Sequence, residues 1–152
     1  MIKHIKCDIF ESGADVICHQ VNCQGVMGSG VAKQVRKKYP WVYGEYKEFC
    51  DTYSPSELLG LILFTYIDET HIIANLFGQE KFGYDGKCYT NYNSLLNALE
   101  QLRDIYPNKT IAIPYLMGCH RGGGDWNIVY KIIEEVFADS DCEVLICEYN
   151  GG

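Results

Sequence analysis

The tract "TIAIPYLMGCHRGGGDWNIVYKIIEEVFADSDCEVLICEY", residues 110–149, constrains the fold more than any other part of the chain. A β-branched run at 110–114 leads to an amphipathic helical pattern at 125–138, and a second strand-like run follows at 142–148. Two strands joined by one helix and a short crossover pair in parallel. Asp125 suits the N-cap of that helix. Three glycines, Gly122 to Gly124, separate the first strand from the helix. So much backbone freedom suits either a tight turn or a loop whose bare backbone approaches a ligand.

The same alternation extends through the rest of the sequence. Strands are predicted over 2–9 and 14–22, and helices over 29–40, ending at Pro40, and 41–53. "LGLILFTYID" and "THIIANLFG" read as two strands turning around Asp68–Glu69, followed by a glycine-bearing loop at 78–89 and a helix at 91–106. The order β-β-α-α-β-β-α-β-α-β predicts an α/β fold of three layers, a mixed six-stranded sheet with helices on both faces. At 152 residues, without repeats or a linker, the chain is expected to form one domain, 1–152.

Hydrophobic residues make up 47% and charged residues 22%, the balance of a soluble globular protein. No segment approaches the roughly 20 apolar residues of a membrane span, so no membrane partner is expected. The start "MIKHIKCDIF" has charges inside its apolar run and does not read as a signal peptide, which predicts a cytoplasmic location. The eight cysteines include no C-x-x-C pair and the four histidines are scattered, so neither a metal site nor disulfides are expected, and no cofactor is called for. A formal charge of −7 argues against a nucleic-acid partner, and the basic cluster "KQVRKK" at 33–38 reads as a solvated helix face. Any anionic ligand must therefore be held by backbone amides and helix ends.

Two loops offer such amides. The second strand runs into "NCQGVMGSGVAKQV" and the fifth into "LMGCHRGGGDW"; each loop is glycine-rich and ends at a helix N-terminus. Neither matches a P-loop or the G-x-G-x-x-G fingerprint. Each alone is consistent with turn chemistry, but together, at equivalent places in one sheet, they favour a ligand and would suit a diphosphate.

"KCDIF", "VNCQGVMGSGVAKQV" and "PYLMGCHRGGGDW" occur in the order found in the macrodomains, and the chain resembles that family of ADP-ribose-binding modules over nearly its whole length. Within the family it is similar to the small branch containing the terminal ADP-ribose protein glycohydrolase and the fungal ADP-ribose-1″-phosphate phosphatase. "HQVNCQGVMGSGVAKQVRKKYP", "YKEFCDTY" and "LLG" look like the phosphatase in particular. The resemblance implies a macrodomain-like fold and a ligand pose. Asp8 would accept a hydrogen bond from the adenine amino group beside the Ile9 amide; it is also explained as a turn residue at a strand end. Asn22 and the amides of Gly28, Ser29, Gly30 and Val31 would surround the distal ribose and one phosphate. Gly118, Cys119, His120, Arg121, Gly122 and Gly123 would wrap the other side of the diphosphate. Tyr149 or Asn150 would flank the adenine.

The glycohydrolases of this branch use a lysine at the end of the fourth strand and an acid in the second glycine loop. The matching positions here are Asn75 and Gly122, which argues against a lysine adduct. Asp125 reads as a helix cap. The catalytic candidates are then His19, His120 and Asn22. His19 matches a histidine of the phosphatases and is also explained as a core histidine. His120 is also explained as an exposed loop residue. Asn22 could orient the ribose hydroxyls and a water. Cys23 and Cys119 lack an adjacent base. The implied function is an ADP-ribose-binding hydrolase acting at the distal ribose, on ADP-ribosylated glutamate or aspartate or as a deacetylase of O-acetyl-ADP-ribose. The alternatives are ADP-ribose-1″-phosphate phosphatase and a non-catalytic reader. The expected partner is ADP-ribose or an ADP-ribosylated protein, with oligomeric state open. Loop 78–89, with Phe82, Tyr84 and Tyr89, either closes over the distal ribose or is an ordinary surface loop.

Overall fold

The structure, a computed structural model, describes residues 1–149. Six strands, β1 (Ile2–Lys6), β2 (Val16–Val21), β3 (Ile62–Tyr66), β4 (Ile72–Phe77), β5 (Thr110–Pro114) and β6 (Glu143–Glu148), form one sheet in the order β1-β6-β5-β2-β4-β3. Every pairing is parallel except β3 with β4. The helices are α1 (Gly30–Lys38), α2 (Pro40–Thr52), α3 (Pro55–Leu58), α4 (Tyr92–Ile105) and α5 (Trp126–Phe137). The mixed sheet and the parallel β5–α5–β6 unit agree with the sequence pattern. The short α3, whose entry is fixed by the Ser54 amide donating to Glu57 Oε1 at 3.1 Å, occupies a stretch where the pattern predicted no element.

The alternation of side chains along each strand divides the core into two. Val16, Cys18, Ala74, Leu76, Ile111, Ile113, Val144 and Ile146 face one side, where Leu95, Leu99 and Leu102 of α4 and Val129, Ile133 and Phe137 of α5 cover them. Ile17, Val21, Ile73, Phe77 and Ala112 face the other, under Val35 of α1, Val42 and Tyr46 of α2 and Leu58 of α3. Strands buried on both faces read as continuous apolar runs, as "VIC" and "IIA" do.

The topology also places a crevice. β2 leads to α1 and α2 on one face, while its neighbour β5 leads to α5 on the other. Adjacent parallel strands whose connections leave in opposite directions form a switch point, and the loops beyond their carboxyl ends part there.

Candidate functional site

A cleft of about 560 Å³ opens at this switch point, a size suited to a nucleotide-like ligand. Its wall follows the order of the strands. Asp8 and Ile9 (after β1) and Tyr149 (after β6) line one end. Leu116, Gly118, His120, Arg121 and Gly122 (after β5) and Asn22, Gly28, Ser29, Gly30 and Val31 (after β2) line the middle. Gln79, Phe82 and Tyr84, beyond β4, line the far end. The residues singled out on sequence grounds therefore lie largely on one surface. Asn150 lies outside the described residues. Among those described, no His, Cys, Asp and Glu cluster could hold a metal, and no helix is long and apolar enough to cross a membrane.

The first glycine loop is organised by one side chain. Asn22 Oδ1 accepts from the Gln24 amide at 2.9 Å and lies 2.8 Å from the Tyr46 hydroxyl, while Asn22 Nδ2 donates to the Val26 carbonyl at 2.9 Å. The Tyr46 hydroxyl is also 2.8 Å from the Asn22 carbonyl, and burial raises its pKa well above the usual phenol value. Tyr43 donates to the Gly25 carbonyl. The carboxamide of Asn22, expected to face a ribose, is thus already engaged in shaping the loop. Beyond it, α1 begins at Ser29, whose side chain makes no capping bond. The first amides of an α-helix have no partner within the helix, and here Gly30, Val31 and Ala32 line the cleft.

The second loop ends in the helix cap that its sequence predicts. Asp125 accepts from the Asn127 amide at 2.9 Å and closes the N-terminus of α5, so this loop offers the backbone of Gly118–Gly122 and no open helix end. Leu116 adopts φ 66°, the sole positive φ outside glycine among the described residues, and lines the cleft. Such a conformation costs about 1 kcal/mol; the Met117-to-Pro114 and Cys119-to-Leu116 backbone bonds hold it.

Two of the expected ligand-binding positions do not line the cleft. Cys119 turns its sulfur to the Met117 carbonyl and packs against the core under α4 and α5; desolvation lifts its thiol to about 11. Gly123, at φ 63°, faces loop 78–89, where a Cβ would collide with the Lys87 carbonyl. Asn75 is likewise not at the end of β4 but within it, fully buried. Its Nδ2 donates to the Leu63 carbonyl at 2.8 Å, and its Oδ1 lies 2.7 Å from His19 Nε2. The residue beyond β4 that does reach the cleft is Gln79. Gly122 has no room for an acid, since a Cβ there would meet Thr90 Oγ1, the Gly118 carbonyl and Gln79 Oε1.

His19 lines the cleft floor but is 2% exposed, and its Nδ1 is buried without a partner. Desolvation lowers its pKa from 6.5 to about 4, only partly opposed by the Asn75 bond, so it is neutral near pH 7. Burial also raises the Cys23 thiol to about 12, so neither cysteine beside the glycines is a thiolate near pH 7. Asp8 Oδ1 accepts from the Phe10 amide at 3.0 Å, capping a single 3₁₀ turn at Ile9–Glu11, while the residue still lines the cleft.

The polar framework at the far end was not foreseen. Gln20 Nε2 donates to Gln79 Oε1 at 2.7 Å and Thr90 Oγ1 at 2.9 Å, Thr90 donates to the Gly118 carbonyl at 2.6 Å, and Gln20 Oε1 is buried without a partner. The amides of Tyr89 and Thr90 donate to the Gly122 carbonyl. Loop 78–89 is thereby tied to the second glycine loop, with Phe82 and Tyr84 walling the cleft and Tyr89 bonded to Asp85. The alternating pattern of β2 could have pointed to Gln20, a polar residue between His19 and Val21 on the otherwise apolar α4 side.

No protein-family model matches the sequence. Over 71 residues, 41% of the chain, it is 38% identical to the ADP-ribose 1″-phosphate phosphatase of Debaryomyces hansenii, of which it covers 40%. It is 29% identical to an uncharacterized 17.5 kDa protein of Enterobacteria phage T4, covering 98% of this chain and 97% of the phage protein. Against the DNA ADP-ribosyl glycohydrolase of Mycobacterium tuberculosis the identity is 25% over the whole chain, which spans 43% of that protein. Among solved structures, the macrodomain of Mycobacterium tuberculosis DarG superposes with a TM-score of 0.79 at 22% identity, covering 100% of this chain and 99% of that one. A Bacteroides thetaiotaomicron protein of unknown function superposes with a TM-score of 0.86 at 24% identity, covering 97% and 98%. In fold the chain matches the macrodomains, and in sequence it is similar to ADP-ribose 1″-phosphate phosphatases and DNA ADP-ribosyl glycohydrolases over parts of their length.

Proposed function

We propose that the cleft binds ADP-ribose and that the chain hydrolyses a substituent from its distal ribose, with ADP-ribosyl esters of glutamate and aspartate and O-acetyl-ADP-ribose as the ester substrates. The observation that carries this reading is the arrangement at the switch point. The uncapped start of α1 and the glycine backbone of 118–122 face one cleft that ends at Asp8, so amide donors flank the place of a diphosphate and a carboxylate stands at the place of the adenine. The relatives named as phosphatase and glycohydrolase, and the Thermosipho africanus DarTG structure in complex with ADP-ribose (TM-score 0.79, 20% identity, covering 97% of this chain and 41% of that one), support the ligand class.

Of the catalytic candidates, His19 stays neutral and tethered to Asn75, and Asn22 holds its loop. Proton transfer then falls to His120, exposed on the cleft wall, or to a phosphate of the ligand itself. A lysine adduct has no residue to form it, because the cleft lining contains no lysine. The eight cysteines, all free thiols, suit a reducing compartment, and we assign the chain to the cytoplasm.

Calorimetric titration tests the ligand. ADP-ribose should bind, and Asp8→Ala should weaken it about tenfold, the effect of losing one charged hydrogen bond. No binding of ADP-ribose sinks the reading. The reaction is tested by following ADP-ribose release from a glutamate-ADP-ribosylated protein at neutral pH. Release well above the spontaneous rate, reduced in His120→Ala, is expected. Binding without release of any distal substituent would leave a reader.

A phosphatase is the second reading, and Gly122 favours it. With no space for an acid in the second loop and neutral Gln79 opposite, nothing at the far end repels a phosphate.

A further inference from the structure

The charged groups of the cleft are few and separated. Among its lining residues Asp8 is the single carboxylate and Arg121 the single lysine or arginine. The strand order puts them at opposite ends. Asp8 follows edge strand β1, whereas Arg121 reaches across to loop 78–89, beyond β4. There its guanidinium carbon lies 3.8 Å from the centroid of the Tyr84 ring, and Tyr84 meets Phe82 edge to face with centroids 6.5 Å apart. A guanidinium stacked on an aromatic face is held in orientation while its N–H edge stays free to donate.

The cleft lining beside that cation is neutral, and Asp85 of the same loop is engaged by the Tyr89 hydroxyl. Gln20 Nε2 bonds Gln79 and Thr90, both neutral, and a Cβ on Gly122 would run into Thr90, Gly118 and Gln79, so no acidic side chain can approach from that position. The diphosphate has its own donors in the amides at the middle of the cleft. A fixed planar cation beyond them, with no carboxylate lining the cleft beside it, suits a second anion carried by the far end of the ligand.

Building on the ADP-ribose reading of the same cleft, we infer that Arg121, positioned by Tyr84, is a specificity determinant that selects ligands bearing a phosphomonoester on the distal ribose. A dianionic phosphate can accept two parallel N–H bonds from the guanidinium. A neutral ester carbonyl at the same place presents less charge and gains less. Arg121 is thus assigned to the substituent and Tyr84 to holding Arg121.

The test is equilibrium binding of ADP-ribose-1″-phosphate and ADP-ribose, measured in parallel, with melting curves confirming that each variant is folded. The wild-type protein should prefer the phosphorylated ligand by about tenfold, the effect of one charge-assisted contact at a partly exposed site. Arg121→Gln should bring that ratio close to one. Tyr84→Leu should reduce it, and Tyr84→Phe, which keeps the ring, should restore it. Equal wild-type affinity for the two ligands would overturn the assignment. So would an Arg121→Gln variant that loses affinity for both in equal proportion, since Arg121 would then serve the diphosphate. If ADP-ribose binds and only the preference is missing, the functional reading survives and this inference fails. If neither ligand binds, both fail.

Discussion

The two glycine loops do the same geometrical work by opposite means. The loop after β2 is shaped by polar side chains: Asn22 bonds three groups, and Tyr46 and Tyr43 reach in from α2. The loop after β5 is shaped by what its glycines lack, with Gly122 and Gly123 pressed against Thr90 and Lys87 and held by backbone bonds from 89–90. The first loop should fail when an atom is removed, the second when one is added. Glycine in a sequence signals freedom, but in the second loop its main use is close approach.

The largest effect should come from adding one carbon. Gly123→Ala meets the Lys87 carbonyl at φ 63°; about 1 kcal/mol of left-handed strain and up to ~3 kcal/mol of overpacking predict a loss near 4 kcal/mol in denaturant unfolding. Gly13→Ala, at φ 76° in open space, isolates the strain alone and should cost about 1 kcal/mol. Equal losses at the two sites would mean that loop 78–89 yields, and the contrast between the loops would collapse.

Next in size is an effect of acid on the strand beneath the first loop. His19 takes up a proton near pH 6.5 in the unfolded chain but only near 4 when folded. The unfolded state therefore binds the proton first, and stability falls as pH drops from about 6.5 towards 4, then levels. The difference is about 3 kcal/mol. Unfolding of wild type and His19→Gln across that range should show this slope in the wild type and its absence in the variant.

The smallest of the three sharpens the polar half of the comparison. Asn22→Ala should cost about 2 kcal/mol by stranding the Gln24 amide and the Val26 carbonyl, while the Tyr46 hydroxyl loses Asn22 Oδ1 and keeps the Asn22 carbonyl. Combining it with Tyr46→Phe should cost less than the sum of the single variants, because they share one bond. Strict additivity in the double-mutant cycle would show that the two side chains act separately.

Much of the architecture was legible because it rests on local periodicity. The buried runs "VIC" and "IIA", the break between two helices at Pro40 (read as the end of the first, in fact the start of α2) and the cap at Asp125 are each written in a few neighbouring residues. Both glycine loops could be placed after strands for the same reason. What escaped depends on pairings distant in the sequence. Gln20 finds Gln79 and Thr90, at separations of 59 and 70 residues, and Asn75 finds His19 across β2 and β4. The resemblance matches Asn75 to a residue at the end of the fourth strand; the register instead puts it within β4, opposite His19. Cys119 and Gly123 alternate with residues that do line the cleft, and no motif reports which way a loop residue turns.

The edge position of β1 has a consequence for how the cleft is completed. Among the described residues its sole neighbour in the sheet is β6, with Ile2 opposite Val144 and Lys6 opposite Glu148. Asp8 is synthesised well before β6, so the strand that leads to it waits for its partner until β6 is made. Pairings so distant in sequence form late in folding. A chain cut before β6 would keep both glycine loops and still lack the acidic end of the cleft, which is assembled by the first and last strands together.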